Sequence, residues 1–248
     1  MTTLLETEGL TKRFEGVTAV DDVNLGVTEG TLKSIIGPND AGKTTLFNLL
    51  SGGLEPTAGQ VRLGAEDITG LPPEQITRKG LARSFQITNI FDELSVLDNV
   101  RIAVQARERG GWNFLQHVAS KAEYREQATD LLERVDLLEF RDTEAGTLSH
   151  GDKRALELAL VLALDPVILL LDEPFAGMSQ FEIEELRDLL DDVANEYTIV
   201  LVEHNINVVM SVSDAVAVLE NGSVIADAAP DDIRDDPRVQ QAYLGESK

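Results

Sequence analysis

The hydrophobic residues of this chain follow two spacings, one typical of β-strands and one of α-helices. The first third predicts strands in "LLETEGL", "AVDDVNLGV", "TLKSIIG" and "QVRLG". Later, "PVILLLD" is a continuous apolar run of the kind buried on both faces of a parallel sheet, and "TIVLVEH" predicts a further strand. "AVAVLENGSVIAD" predicts a closing hairpin, because Asn221-Gly222 is a two-residue turn signal.

Helical spacing alternates with these strands. One helix should begin at Gly42 and run through "KTTLFNLLSG". "VLDNVRIAVQARER" and "AEYREQATDLLERVDLL" predict a mainly helical region, followed by a helix "KRALELALVLAL" after Asp152 and another in "FEIEELRDLLDDVAN". Interleaved strands and helices predict an α/β fold.

Composition limits the class of protein. With 43% hydrophobic residues, the 248-residue chain can form a substantial buried core. It has no cysteine, which excludes disulfides, cysteine-bound zinc and a thiol nucleophile. No segment reaches the roughly 20 apolar residues of a membrane span, and "MTTLLETEGL" is not a signal peptide. We therefore expect a soluble cytoplasmic protein.

The net charge of −23 narrows the range of partners and conditions. Such a surface disfavours nucleic acid and anionic lipid as direct partners. Acidic residues are spread along the whole chain, and their mutual repulsion is largely screened at molar salt, where the Debye length is about 3 Å. The charge therefore favours a halophilic protein over an acidic mesophilic one.

Residues 37–44, between a predicted strand and a predicted helix, fit the phosphate-binding pattern G-x-x-x-x-G-K-[ST]. Backbone N–H groups of such a loop and the helix N-terminus point at phosphates. Lys43 would neutralise the outer phosphates, and the Thr44 hydroxyl is placed to bind Mg²⁺. The candidate nucleotide-binding residues are Gly37, Pro38, Asn39, Asp40, Ala41, Gly42, Lys43, Thr44 and Thr45.

The segment "VILLLDEP" is a buried strand that ends in two carboxylates, Asp172 and Glu173, and these complete the candidate site. Asp172 should lie at the carboxyl end of the strand, where α/β sheets hold ligands, and would hold Mg²⁺ directly or through its water. Glu173 is placed to accept a proton from an attacking water. The pair predicts phosphoryl-transfer chemistry.

Asp40 is unusual in a loop that has to bind anions. Glycine readily adopts positive φ, and Asp is one of the few other residues that tolerate this conformation, so the loop can keep its shape with Asp40. A carboxylate about 8 Å from a phosphate charge costs about 0.5 kcal/mol in water and about 2 kcal/mol at an effective dielectric of 20. Neither value cancels Lys43, Mg²⁺ and several N–H groups, so the loop should still bind nucleotide.

With these motifs the sequence resembles the ATP-binding subunits of ABC transporters over essentially its whole length. "LSHGD" resembles the family's signature, "AGMS" (residues 176–179) lies where its D-loop belongs, and "ARSFQ" and "LVEHN" resemble its Q-loop and switch segments. The resemblance implies that Phe14 stacks on adenine, that Gln86 contacts nucleotide and Mg²⁺, and that His204 is catalytic with Glu173 and Lys43. It also implies that Ser149 and Gly151 face the γ-phosphate of ATP bound to a second subunit.

The resemblance also implies an organisation and a set of partners. The expected fold is a P-loop NTPase core with an antiparallel β subdomain and an inserted α-helical subdomain. Residues 1–248 would form one domain, with the core at 1–86 and 160–248 and the helical subdomain at about 87–159. The expected ligands are ATP and Mg²⁺. The expected partners are a second ATPase subunit, identical or related, two membrane permeases that hold the chain on the inner face of the membrane, and, indirectly, an external binding protein.

Within the family, "GPNDAGKTTLFNLLSG", "DITGLPPEQITRKGLARSFQ" and "DPRVQQAYLG" resemble the branched-chain amino acid importers. "LSHGDK" and "AGMS" also suit a sister group that imports urea and short amides. Three residues differ from those usual in the family. His150 stands in the signature where Gly is usual and Asp152 where Gln is usual, and Ser179 stands in the D-loop where Asp is usual. Two functions outside import stay open from the sequence. One is a nucleotide-dependent scaffold, which would need coiled coils or a duplicated domain, and the second is a non-hydrolysing regulatory subunit disabled at Asp40.

Overall fold

The computed structural model describes residues 2–84, 90–108 and 119–244. The described residues form ten β-strands, nine α-helices and two 3₁₀ helices. The strands are β1 (Thr3–Phe14), β2 (Val17–Thr28), β3 (Leu32–Ile36), β4 (Ala58–Leu63), β5 (Glu66–Asp67), β6 (Leu81–Arg83), β7 (Ile168–Asp172), β8 (Thr198–Val202), β9 (Ala215–Glu220) and β10 (Ser223–Ala228). The α-helices are α1 (Lys43–Leu50), α2 (Pro73–Arg78), α3 (Val96–Glu108), α4 (Ala119–Arg134), α5 (His150–Leu162), α6 (Gln180–Ala194), α7 (Ile206–Val212), α8 (Pro230–Asp235) and α9 (Pro237–Leu244).

The chain divides into two compact units. The first, which we call the core unit, comprises Met1–Arg83, Val167–Pro174 and Leu190–Lys248. The second, the helical unit, comprises Ser84–Pro166 and Phe175–Leu189. The α/β fold class is confirmed, whereas the subdomain limits of about 87–159 stay a prediction.

A six-stranded sheet organises the core unit, with strand order β10-β9-β3-β8-β7-β6. Every neighbouring pair from β9 to β6 is parallel, and β10 alone runs antiparallel. All residues of β3, β7 and β8 are buried, as the continuous apolar runs predict for strands covered on both faces. Because the strands are parallel, their carboxyl ends meet at one edge.

A second, antiparallel sheet in the core unit has the order β2-β1-β4-β5. Its buried side chains, such as Leu5 and Val61, join those of α1 and of the six-stranded sheet in one apolar cluster. Phe47 on α1 is fully buried in this cluster. The burial of this face anchors α1 and the loop that precedes it.

The hairpin between β9 and β10 has the predicted turn. Asn221 and Gly222 both have positive φ, 48° and 82°, and Glu220 pairs directly with Ser223. Two consecutive residues with positive φ give the twist that a tight hairpin needs. The prediction from Asn221-Gly222 is therefore confirmed.

Among the helix boundaries that differ from the prediction, two have an evident structural cause. α4 ends at Arg134, four residues before the predicted end, because Asp136 has φ 56° and the Leu137 N–H donates to the Leu132 carbonyl at 2.8 Å. This is a left-handed helix end, which Asp tolerates. α5 begins at His150 instead of after Asp152, because Ser149 caps it and accepts from the Asp152 N–H. The short helices α2, α7, α8 and α9 were not predicted from spacing.

None of the helices in the described ranges is long and apolar enough to cross a membrane.

The loop before α1 is packed against β2, and this packing gives a stability prediction. Gly42 has φ 101°, and a Cβ there would lie 2.3 Å from the Ala19 carbonyl oxygen. Gly16 has nearly the same φ, 99°, with nothing within 4 Å of a Cβ. We expect Gly42→Ala to lower the free energy of unfolding by about 1–3 kcal/mol more than Gly16→Ala, because only Gly42→Ala forces a contact with backbone.

Urea unfolding of the two variants and the wild type measures this difference. Both alanines would have nearly the same positive φ, so Gly16→Ala controls for the cost of that φ. Equal losses would show that β2 does not restrict the loop.

Candidate nucleotide site

Four adjacent strands of the core unit bring the predicted site residues to one edge of the sheet. β3 leads into the loop at Gly37, β8 ends two residues before His204, and β7 ends at Asp172, directly before Glu173. β6, the outer neighbour of β7, ends at Arg83. The strand register places these ends level, since Ile35 pairs with Val202, and Val202 pairs with Asp172. Parallel pairing therefore assembles a site from segments far apart in sequence.

The phosphate loop is closely held by the surrounding backbone. A Cβ at Gly37 would lie 2.2 Å from the Leu219 carbonyl oxygen, and the Gly222 N–H donates to the Ala41 carbonyl at 2.9 Å. Gly42 is the N-cap of α1, so the helix N-terminus directly follows the loop. Lys43 is buried and its Nζ donates to the Gly37 and Pro38 carbonyls at 2.6 and 2.7 Å. The ammonium group is thus fixed at the mouth of the loop.

Asp40 adopts the conformation predicted for it. Its φ is 61°, in the left-handed region, and its side chain is exposed. An exposed carboxylate is screened by water and salt, so its repulsion toward a phosphate lies near the value in water, about 0.5 kcal/mol. Asp40 is therefore compatible with the loop geometry.

A cavity of about 400 Å³ in the core unit joins the loop and the start of α1 to three residues from other segments, which are Phe14, Ala19 and Glu173. Phe14, at the end of β1, is 42% exposed, and the Lys12 ammonium lies 5.2 Å from its ring centroid. An exposed aromatic face in a polar cavity is suited to stacking on a base. The cavity is lined by Phe14, Ala19, Asn39, Asp40, Ala41, Gly42, Lys43, Thr44, Thr45 and Glu173.

Asp172 is buried and paired with a residue that the sequence analysis missed. The Arg83 guanidinium donates from Nη2 to Asp172 Oδ2 at 2.7 Å, and the side chains are 15% and 1% exposed. Removing one partner of such a buried pair typically costs about 3–5 kcal/mol, because a charge is left uncompensated. Arg83 lies three residues before Gln86, in a short strand whose other residues are apolar. A charged residue in such a strand was the sequence signal for a buried ion pair near the site.

Glu173 and His204 lie close together after β7 and β8. Glu173 has φ 47°, an uncommon conformation for a non-glycine residue, and its N–H donates to the Val202 carbonyl at 2.9 Å. His204 is 61% exposed, with its Nδ1 3.9 Å from Glu173 Oε1 and 3.7 Å from Glu203 Oε2. The structure therefore brings together the two residues expected to act on water and phosphate.

Glu203 is a second residue that the sequence analysis missed. It is fully buried, and its Oε2 accepts from the His204 and Asn205 N–H groups at 3.0 and 3.3 Å. Asn205 then caps α7, accepting from the Val208 N–H. Glu203 thereby fixes the turn that carries His204. A carboxylate directly after the apolar run of β8 was its sequence signal.

The signature and D-loop residues meet within the helical unit. Ser149 Oγ accepts from the Asp152 N–H at 3.1 Å and donates to Asp152 Oδ2 at 2.7 Å. Glu182 Oε1 accepts from the Gly151 N–H, and Glu182 Oε2 accepts from the Ser179 hydroxyl and N–H. These Ser179 bonds hold the pKa of the Glu182 carboxyl below its usual value. His150 Nε2 lies 3.3 Å from the Ala176 carbonyl oxygen.

Ser149 caps α5 through its hydroxyl, and the Asp152 carboxylate accepts a hydrogen bond from that same hydroxyl. Asp152, which departs from the usual signature residue, therefore has a structural role at the start of α5. Gln86 lies outside the described residues, and its expected contacts stay a prediction.

Comparisons with known proteins agree with this geometry. Residues 20–176 match the family model described as ABC transporter. The chain belongs to the ABC transporter ATP-binding family. Residues 223–248 also match a model described as branched-chain amino acid ATP-binding cassette transporter. The activity of the chain is accordingly ATP hydrolysis of the ABC type.

Proteins similar to this chain are named as ATP-binding proteins of transport systems. The chain is 44% identical to BraF of Pseudomonas aeruginosa, a high-affinity branched-chain amino acid transport ATP-binding protein, over 98% of each chain. It is 40% identical to LivG of Escherichia coli, which has the same description, again over 98% of each. It is 33% identical to LptB of Acidithiobacillus ferridurans, a lipopolysaccharide export ATP-binding protein, over 99% of this chain and 98% of LptB.

Solved structures support the fold. An ATP-binding cassette of an ABC transporter in its ADP conformation superposes with a TM-score of 0.86 at 27% identity, covering 99% of this chain and 100% of that one. A dimeric cassette in a post-hydrolysis state with ADP and Pi gives 0.76 at 26% identity, covering 92% and 99%. The predicted P-loop ABC ATPase fold is confirmed.

The residues present fit Mg²⁺ and ATP. Mg²⁺ prefers oxygen ligands and is usually held by one or two protein groups together with phosphates. The exposed Thr44 lines the cavity, Asp172 lies directly before Glu173, and Glu173 also lines the cavity. The donor set and the anion-binding loop therefore suit a Mg²⁺–nucleotide complex.

The exposed carboxylate of Asp40 gives a prediction for nucleotide binding. We expect Asp40→Gly to tighten ATP binding by about 2-fold, with an upper bound of about 30-fold, because a repulsion of about 0.5–2 kcal/mol is removed. The ratio of the two dissociation constants should shrink as salt rises from tenths molar to several molar.

Calorimetric titration with ATP at several salt concentrations measures these constants. Gly also adds freedom to the unfolded chain, so both proteins must be shown to stay folded at each salt concentration. A ratio that is flat with salt would assign the effect to loop geometry, and a ratio near one would show that the Asp40 charge does not reach the phosphates.

Proposed function

We propose that this chain is the ATP-hydrolysing subunit of an importer that takes up branched-chain amino acids across the cytoplasmic membrane. The main observation that supports ATP hydrolysis by this chain is the cavity lined by the phosphate loop, Phe14 and Glu173. The names of BraF and LivG and the match of residues 223–248 support the substrate class.

The chemistry follows from the site residues. Phe14 stacks on the base, and the loop N–H groups with Lys43 hold the phosphates. Thr44 and Asp172, with Gln86 by resemblance, would hold Mg²⁺, which supplies charge neutralisation at the phosphates when bound. Lys43 and His204 stabilise charge on the transferring phosphoryl group.

Glu173 orients the attacking water and accepts its proton. Its position beside His204 supports this assignment, since their side-chain atoms lie 3.9 Å apart. The positive φ of Glu173, 47°, also supports this assignment, because uncommon backbone conformations cluster at active sites.

A complete site requires a second ATPase subunit. Ser149 and Gly151 would face the γ-phosphate of ATP held by the other subunit, as the family resemblance implies. The dimeric cassette with ADP and Pi supports a dimer for this chain as well. We further propose that the chain lies on the inner face of the membrane, held by two permease subunits served by an external binding protein.

The net charge of −23 supports a salt-rich cytoplasm as the working environment. The substrate is tested outside this chain, because the ATPase subunit does not contact it. Measuring ligand binding by the neighbouring external binding protein decides between branched-chain amino acids and urea or short amides. Saturable binding of leucine, isoleucine or valine supports the proposal, and binding of urea alone contradicts it.

The role of Glu173 gives a kinetic prediction. We expect Glu173→Gln to bind ATP normally and to hydrolyse it about 10²–10⁴-fold more slowly, because the amide keeps the shape but cannot accept the proton. The retained ATP should hold the dimer closed. Phosphate release and size-exclusion chromatography with ATP measure the two effects.

Glu74→Gln is the matched control, since Glu74 is exposed on α2 and does not line the cavity. It should turn over ATP at the wild-type rate. Near-wild-type turnover by Glu173→Gln would remove Glu173 from this role.

The placement of Ser149 gives a prediction for assembly. Ser149→Arg should abolish turnover by the assembled ATPase while leaving ATP binding by the isolated monomer unchanged, because a bulky cation blocks closure of the dimer. Ser149 also caps α5, so the substitution should cost about 0.5–2 kcal/mol of stability.

Ser149→Ala is the control for the lost cap, because it removes the same hydroxyl without adding bulk. Both variants should melt at similar temperatures, and only Ser149→Arg should lose ATP-dependent dimerisation. An equal fall of monomer ATP affinity and turnover would show that the signature does not act across the interface.

A further inference from the structure

Arg83 links three elements of the core unit through one guanidinium group. Nη2 donates to Asp172 Oδ2 on β7 at 2.7 Å. Nη1 donates to Asn48 Oδ1 at 2.7 Å and to Ser51 Oγ at 3.0 Å, both at the end of α1 or directly after it. The guanidinium carbon also lies 5.4 Å from the centroid of the Phe47 ring. Arg83 therefore ties the buried carboxylate of β7 to α1.

These contacts leave the guanidinium little freedom. The Arg83 side chain is 15% exposed. Its planar guanidinium has N–H donors in fixed directions, and these bind partners on different elements. α1 is the helix that follows the phosphate loop and begins with Lys43 and Thr44. The orientation of the Asp172 carboxylate is thus set relative to the same helix that carries the Thr44 hydroxyl.

We propose that Arg83 is a positioning residue for the metal of this ATPase: by holding Asp172 Oδ2, it aims the carboxylate so that Asp172 and Thr44 act on one Mg²⁺. The inference rests on the proposed function, because it takes these two residues as the metal-holding groups. Partners that orient a metal-binding group typically change metal affinity by about 10–100-fold when they are substituted.

Two different roles for Arg83 predict different results. If the ion pair only joins β6, β7 and α1, its loss should lower stability and leave the metal dependence of nucleotide binding unchanged. If the guanidinium competes with the metal for Asp172, its loss should tighten metal binding. The fixed partners on α1 favour positioning over competition, because a competitor would have to leave Asp172 when the metal binds.

Mn²⁺ is a suitable probe because it accepts the same oxygen ligands as Mg²⁺ and is detected by electron paramagnetic resonance. Free and bound Mn²⁺ are measured at saturating ADP, so that no hydrolysis contributes. The dissociation constant of ADP is measured separately without metal and with Mg²⁺. Urea unfolding reports stability.

The first variant is Arg83→Lys, which keeps the charge but cannot reach Asp172, Asn48 and Ser51 together. We expect Mn²⁺ affinity in the ADP complex to fall about tenfold, while metal-free ADP binding changes less than about twofold. Asn48→Ala leaves the ion pair intact and removes one anchor, so it should weaken Mn²⁺ binding in the same direction by a smaller factor.

Asn48→Ala also keeps the inference testable if Arg83→Lys does not fold. Arg78→Lys is the matched control, since Arg78 is exposed on α2 and lies outside the cavity lining. It should leave all three measurements at wild-type values.

Asp172→Asn separates failure of this inference from failure of the proposed function. If Asp172→Asn weakens Mn²⁺ binding and neither Arg83→Lys nor Asn48→Ala does, Arg83 has no positioning role although the proposed site stands. If Asp172→Asn leaves Mn²⁺ binding unchanged, the proposed metal site and the inference both fail. Tighter Mn²⁺ binding by Arg83→Lys overturns the inference in favour of competition.

Discussion

The structure of the candidate site depends on one constraint, which is that charged groups buried at a sheet edge have to be compensated there. Lys43, Asp172 and Glu203 are each less than 10% exposed. Their compensation comes from different sources: loop carbonyls for Lys43, a guanidinium for Asp172 and backbone N–H groups for Glu203. Each of these hydrogen bonds also fixes the segment that contains the partner. The bonds that compensate the buried charges therefore also determine the geometry of the site.

The parallel sheet makes this compensation possible. Its strands end level, so the loop after β3, the carboxylates after β7 and the turn after β8 reach one another although the first is more than 100 residues from the others in sequence. The apolar cluster that packs against them is buried and includes residues of α1. The energy that holds the polar edge in place therefore comes largely from apolar burial elsewhere in the core unit.

Local patterns account for what could be predicted from the sequence. The phosphate loop, the carboxylates of β7, the Asn221-Gly222 turn and the left-handed Asp40 each depend on a few consecutive residues. Arg83 and Glu203 could not be assigned in this way, because their roles come from contacts made only after folding. Arg83 meets Asn48 across 35 positions and Asp172 across 89. The start of α5 was missed for a different reason: Ser149 and Asp152 were interpreted only as a signature, although their spacing is also that of a helix cap.

The negative charge of the chain and its anion-binding site are compatible because they act over different distances. Most of the acidic surface is exposed, and salt screens exposed charges beyond about one Debye length. Lys43 and the N-terminus of α1 act at contact distance and within a partly closed cavity, where screening is much weaker. Asp40 belongs to the first group, because it is exposed although it stands in the loop. A rise in salt therefore removes repulsion from the surface and from Asp40 while it leaves the short-range attraction of the loop nearly intact. An acidic surface is therefore compatible with phosphate binding by this loop, because exposed charges are screened more strongly than the contacts inside the cavity.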